Sequence, residues 1–201
     1  MSNCSSSTTL VRDLDMVALD FETTGQGARR GNLPWQLGAV AIQKGELLGE
    51  NGLSILLNVP FDHPFNPYTP GRWASIREEL DAAPTLLELW PSLAPWLTGH
   101  CLLAHNAPTE RTILQRFFPL HQFGPWLDSL KVARAAYPSL PSFALSDILD
   151  YLELTSEVQS LCPERQPHDA LFDATGSAVL LKHVLSLPAW HNITLTDMLA
   201  L

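Results

Sequence analysis

The segment Met16 to Phe21 reads MVALDF, apolar until Asp20, and Glu22 follows two residues later. A near-continuous apolar run of this length is the pattern of a strand buried on both faces. A carboxylate at the end of such a strand needs a reason to be there. Residues two apart on a strand leave the same face, so Asp20 and Glu22 project side by side. Two carboxylates about 4 Å apart repel by roughly 4 kcal/mol at an effective dielectric of about 20. A hard divalent cation such as Mg²⁺ or Mn²⁺ turns that repulsion into a ligand set. Taken alone, the pair reads equally well as a solvated acidic turn.

The chain around it supplies a sheet. A glycine-rich loop, Thr24 to Asn32, leads to a second apolar run at Leu37–Ile42, a tight turn at Lys44-Gly45 and a third run over 46–59. Three strands joined by short turns predict an antiparallel meander. Residues 60–70 hold four prolines and must wrap over the surface. Ile76, Leu80, Leu86, Leu87, Trp90, Leu93 and Leu97 then recur at helical spacing, broken near Pro84 and Pro91, which predicts two short helices. Cys101–Ala104 reads as a strand. Asn106 offers an N-cap to a helix with Pro108 in its first turn, Ile113, Leu114, Phe117 and Phe118 as its stripe, and an end near Pro119. Residues 126–132 read as a strand or a strand–helix junction. Helices are expected over Ser142–Leu152 and Asp169–Leu187. The order of elements predicts an α/β fold with an antiparallel edge.

Length and composition narrow the class. A chain of 201 residues makes one domain with short decorations, expected as a flexible tail at 1–12, a domain at 13–188 and a C-terminal tail at 189–201. With 46% hydrophobic and 16% charged residues, disorder as the overall state is excluded. Twelve basic against 21 acidic residues give a net charge of −9, which argues against a nucleic-acid binder held by bulk charge. Cys4, Cys101 and Cys162 are far apart and form no CxxC pair, so neither a disulfide framework nor a zinc ribbon is expected. The first nine residues lack the pattern of a signal peptide, and no apolar run approaches the length of a membrane span. The expectation is a soluble, cytoplasmic protein with no membrane partner.

Gly25, Gly27 and Gly31 are spaced GxGxxxG rather than GxGxxG, and two carboxylates just before them would repel a pyrophosphate. A nicotinamide or flavin cofactor is therefore not expected. Arg29 and Arg30 in that loop are solvated, or steer a phosphate backbone toward the site. Glu110 falls in the first turn of its helix, where a carboxylate is also favoured simply by the helix dipole. His168 and Asp173 open the last helix, with Asp169 as a candidate N-cap.

Read together, ALDFETTG, AHNAPTER and HDALFDA, in that order and followed in the first case by LGAV at 37–40, resemble the three motifs of the DEDDh family of 3′-to-5′ exonucleases. That family includes the proofreading subunit of bacterial replicative polymerase, ribonuclease T and oligoribonuclease. The resemblance spans roughly residues 13–187. It implies a ribonuclease H-like mixed sheet, a three-strand antiparallel meander plus parallel strands, with helices on both faces. It also implies that Asp20, Glu22, Glu110 and Asp173 hold two divalent ions, Mg²⁺ or Mn²⁺, and that His168 is the general base. Thr23, Thr24 and Asn106 align with positions that meet substrate. An imidazole, ordinarily titrating near pH 6.5, suits proton transfer from water at neutral pH. The implied partner is DNA or RNA with a free 3′ end, and the implied product a nucleoside 5′-monophosphate. The oligomeric state is left open, a homodimer included.

Two departures stand out. Glu110 occupies a position where the family usually has Asp, one methylene shorter. The family's frequent His-Gly-Ile segment is replaced by TPGRWASI at 69–76. A catalytically weakened binding module built on the same fold is the competing reading.

Overall fold

The computed structural model describes residues 8–26, 31–48 and 52–201. Strand β1 (Asp15–Thr23) lies at the centre of a six-stranded mixed sheet. It pairs antiparallel with β2 (Pro34–Gln43), and β2 in turn pairs antiparallel with β3 (Glu46–Leu47) and β4 (Leu53–Leu56). The third run of the meander is thus two short strands on one edge rather than one. On the other side of β1 lie β5 (Cys101–Ala104) and then β6 (Trp126–Asp128), both parallel.

The alternation of side chains along β1 assigns its two faces. Met16 and Ala18 belong to one core cluster, and Val17, Leu19 and Phe21 to another on the opposite face. The first face is covered by α7 (Ala170–Ser186), which packs on β1 and β2 and is itself enclosed by α4 (Ser129–Ala136), α5 (Leu145–Tyr151) and α6 (Thr155–Leu161). That enclosure explains why α7 is apolar nearly all round instead of carrying one stripe. The second face takes α2 (Trp90–Leu97) and α3 (Pro108–Phe117). A third, smaller cluster of Trp35, Val59, Ile76 and Leu80 anchors the proline-rich segment and α1 (Arg77–Ala82).

Pro91 does not break a helix: it sits in the first turn of α2, where its missing N–H has no partner to lose, and the break lies over 83–89. Asn106 is not an N-cap either. Its backbone is left-handed at φ 67°, Ala107 takes the cap position, and the Asn106 N–H donates to Asp128 Oδ1 at 3.0 Å.

The packed unit is wider than residues 13–188. Val11 is buried in the main core, and Leu195 and Met198 of α8 (Leu195–Leu199) join it. Leu10 bridges to Thr194, and the Val11 N–H donates to the Ile193 carbonyl. Among the described residues no helix is long and apolar enough to cross a membrane. Cys101 and Cys162 are both buried, and Cys4 lies outside the described residues.

Candidate functional site

Register places the acids. Met16, Val17 and Ala18 stand opposite Cys101, Leu102 and Leu103 in the parallel β1–β5 pair, so β5 ends at Ala104 level with Leu19, while β1 runs on through Asp20 and Glu22. The chain then turns through 105–107 and starts α3, which brings Glu110, in the first turn, against Phe21 and Asp20. Asp20 and Glu22 share the parity of Met16 and Ala18 and therefore face α7. Asp20 pairs with Gly38 on β2, and Gly38 is where α7 begins. A Cβ built on Gly38 would lie 2.1 Å from the Ala170 carbonyl carbon and 2.2 Å from the Leu171 nitrogen. Only glycine lets strand and helix meet by their backbones, and this contact carries Asp173 to the strand end. Ligand-type atoms of Glu22, His168 and Asp173 lie within 4.8 Å of one another.

Electrostatics mark the cluster as uncompensated. Among the described residues no Lys or Arg forms an ion pair with Asp20, Glu22, Glu110 or Asp173. Burial pushes the Asp20 carboxyl well above its usual range, and Glu110, Asp173, Glu22 and Asp169 push in the same direction. Burial, then Asp173, Asp169 and Glu110, raise Glu22 to about 8. Glu110 also rises to about 8 through burial, against backbone hydrogen bonds at Glu110 and Phe21 that favour its charged form. Asp173 rises to about 7, burial outweighing the hydrogen bond from the His168 N–H at 3.2 Å. Glu110 Oε2 is buried without a hydrogen-bond partner. Perturbation of this size by burial and like charge is characteristic of functional carboxylates. An all-oxygen cluster with an imidazole at its edge and an unpartnered carboxylate oxygen fits hard divalent cations.

The remaining expected positions divide. Thr24 is fully buried; its Oγ1 accepts from the Leu33 N–H at 3.1 Å and donates to Asn32 Oδ1 at 3.2 Å, so its hydroxyl closes the loop. Thr23 stands at the irregular end of the β1–β2 pairing. Asn106 is exposed beyond β5. Gly27, Arg29 and Arg30 lie outside the described residues.

Several supporting groups carry weaker sequence signals. Gln36, fully buried, donates to Asp169 Oδ2 at 3.1 Å and accepts from the Ala170 N–H at 3.3 Å. Asp169 caps α7 through the Leu171 N–H and accepts from Arg165 at 2.8 Å. His105 bonds Ser129 Oγ and the Phe143 carbonyl, each at 3.0 Å, and burial lowers its pKa; the ring ties the end of β5 to the helical layer. A polar amide two residues before Gly38 in an otherwise apolar strand was the one available sign of Gln36.

The fold and its acid cluster define a class, the nucleases built on a ribonuclease H-like sheet. Exonuclease X in complex with 5′ overhanging duplex DNA has this fold, with a TM-score of 0.67 at 23% identity, over 92% of this chain and 99% of that one. The nuclease domain of 3′hExo, a DEDDh family member bound to rAMP, gives 0.64 at 15%, over 85% and 91%. The exonuclease family model matches residues 17–181, and the chain belongs to that family. It is also 26% identical over 176 residues to the PolC-type DNA polymerase III of Clostridium perfringens, covering 85% of this chain and 11% of that protein. The chain spans about a tenth of the length of the curated relatives it matches.

Proposed function

We propose that this exonuclease domain hydrolyses the last phosphodiester bond at the 3′ end of DNA or RNA, releasing nucleoside 5′-monophosphates. The observation that carries this reading is the convergence of Asp20, Glu22, Glu110 and Asp173 at one strand end, with no Lys or Arg among the described residues in an ion pair with them. These four carboxylates would hold two Mg²⁺ or Mn²⁺ ions. Such ions supply charge stabilisation of the attacking and leaving oxygens and a lower pKa for bound water.

The chain's own contribution is orientation and proton transfer. His168 is exposed at the rim, and its left-handed backbone, φ 68°, turns its N–H onto Asp173 while the side chain stays beside Glu22. Its imidazole takes the proton of the attacking water as oxygen bonds to phosphorus. The bond between phosphorus and the upstream 3′ oxygen breaks, and that oxygen takes a proton from solvent to become the new 3′ hydroxyl, while His168 returns its proton to solvent. Glu110 keeps the charge of the usual Asp with longer reach. Its unpartnered Oε2 supports a ligand role over a merely helix-stabilising one.

The test uses 5′-labelled DNA and RNA, single-stranded and with a mismatched 3′ end, with Mg²⁺ or Mn²⁺ and with Asp20→Ala as control. A ladder of 5′-labelled products shortened one nucleotide at a time is expected. Label released first as a mononucleotide, or no digestion of any substrate, would overturn the proposal.

A further inference from the structure

The segment that replaces the family's His-Gly-Ile motif does more than cover the core. Residues 66–72 run across the mouth of the site from one end to the other. At one end the Asn66 N–H donates to the Thr24 carbonyl at 2.8 Å, the Asn66 side-chain amide donates to the Gly25 carbonyl at 3.3 Å, and Thr69 Oγ1 donates to the Thr24 carbonyl at 3.4 Å. At the other end Gly71, at φ 91°, lies so close that a Cβ there would sit 3.1 Å from the His168 carbonyl and 3.0 Å from the Trp35 ring. The Trp73 indole N–H holds the strap in shape by donating to the Thr69 carbonyl at 2.9 Å.

Where the strap reaches His168 it opens a polar cavity of about 410 Å³ between Gly71-Arg72 and 164–169. That volume is in the range that holds a small ligand or one unit of a larger one. Two guanidiniums line it. Arg165 is fixed by its 2.8 Å bond to Asp169. Arg72 has no ion pair or side-chain hydrogen bond among the described residues. Glu164 is the opposing charge on the lining, while the Asp169 charge is already matched by Arg165. Nothing in the hydrolytic chemistry uses Arg72.

We propose that this cavity is a second subsite that takes a backbone phosphate of the nucleic-acid strand upstream of the scissile bond, with the guanidiniums of Arg72 and Arg165 as its partners. The proposal rests on the exonuclease reading: with the scissile bond held at the acid cluster, the cavity next to His168 lies where a neighbouring backbone phosphate of the same strand can reach it. A guanidinium is suited to a phosphate by its planar fork of donors. Local cationic contacts of this kind let a chain of net charge −9 hold a polyanion.

The experiment compares two substrates, a single-stranded oligonucleotide and the p-nitrophenyl ester of thymidine 5′-monophosphate, which has no upstream strand. Arg72→Ala should raise KM for the oligonucleotide about tenfold, the loss of one charge-assisted hydrogen bond, with kcat within about twofold. It should leave hydrolysis of the ester unchanged. Arg72→Lys should recover part of the loss, and Glu164→Gln should lower KM. In an Asp20→Ala background, Arg72→Ala should weaken binding of a fluorescent oligonucleotide and reduce the slope of log K against log salt by about 0.7. An unchanged oligonucleotide KM and salt slope in Arg72→Ala, or equal losses on both substrates, would refute the subsite. If the wild type with metal cleaves neither substrate, it is the exonuclease reading that fails, while the binding arm still judges the subsite.

Discussion

Asp169 and Asp173 stand four residues apart at the start of α7, and their surroundings are opposite. Asp169 accepts hydrogen bonds from the Leu171 N–H, the Gln36 amide and the Arg165 guanidinium. Among the described residues Asp173 receives one, from the His168 N–H, and the charges felt around it, Asp169 and Glu22, are acids. One carboxylate is provided for by the fold and holds it together; the other is held in place without compensation. A helix start can thus carry a structural and a functional acid one turn apart, and the hydrogen-bond inventory tells them apart where residue type cannot.

The largest test of that contrast is activity. Asp173→Asn should reduce hydrolysis by on the order of 10³-fold or more, with the circular dichroism and thermal transition of a folded protein. Activity within tenfold of the wild type in metal-supplied assays would remove Asp173 from the site. His168→Ala should lower kcat by about 10²-fold or more with little change in oligonucleotide binding, and an unaltered turnover would remove it as base.

Asp169→Asn should behave in the reverse sense. Loss of the charge that receives Arg165 and Gln36 should cost about 2–3 kcal/mol of stability, or some 4–12 °C in Tm for a chain of this size. A Tm unchanged in that variant would show that its three hydrogen bonds contribute nothing net.

The smallest effect separates the two acids by pH. Glu22 and Glu110 at about 8 and Asp173 at about 7 lie above their ordinary values, so the folded protein binds more protons than the unfolded chain across that window. Below the ordinary carboxylate range no penalty exists. As pH rises from about 4.5 toward 8, metal-free stability should fall, by several degrees in Tm, and level off above 8. Divalent ions, binding the ionised groups, should restore more at pH 8 than at pH 5. Asp173→Asn should flatten the slope and raise the metal-free Tm at pH 8; a metal-free Tm that climbs between pH 5 and 8 would contradict this account.

Much of this was legible in the sequence because the elements concerned obey one rule at a time. The strand that carries Asp20, the strand Cys101–Ala104 and the helix start after Asp169 follow from apolar runs and caps, and the match over 17–181 agrees with the resemblance drawn from ALDFETTG, AHNAPTER and HDALFDA. What was missed depends on long-range partners. Asn106 has the side chain of a cap, yet the Asp128 carboxylate holds its backbone in a turn. The bonds of the Thr24 hydroxyl to Leu33 and Asn32, nine and eight positions away, carry no local signal either. Helix α6, with Leu154 at its cap and Val158 and Leu161 at helical spacing from it, has only seven residues, too few for periodicity to stand out. Gln36 meets Asp169 across 133 positions of sequence, a distance that no local pattern reports.

The contact at Gly38 has a consequence for anyone who would redesign this domain. Because β2 and α7 meet through main-chain atoms there, the gap between Asp20's strand and Asp173's helix is a fixed gauge, set by peptide dimensions instead of by the bulk of interchangeable side chains. The apolar layers on either side can then be exchanged for others of equal volume with the gauge unaltered. Libraries that vary the core should keep activity wherever they keep the fold, while a library at position 38 should return glycine alone.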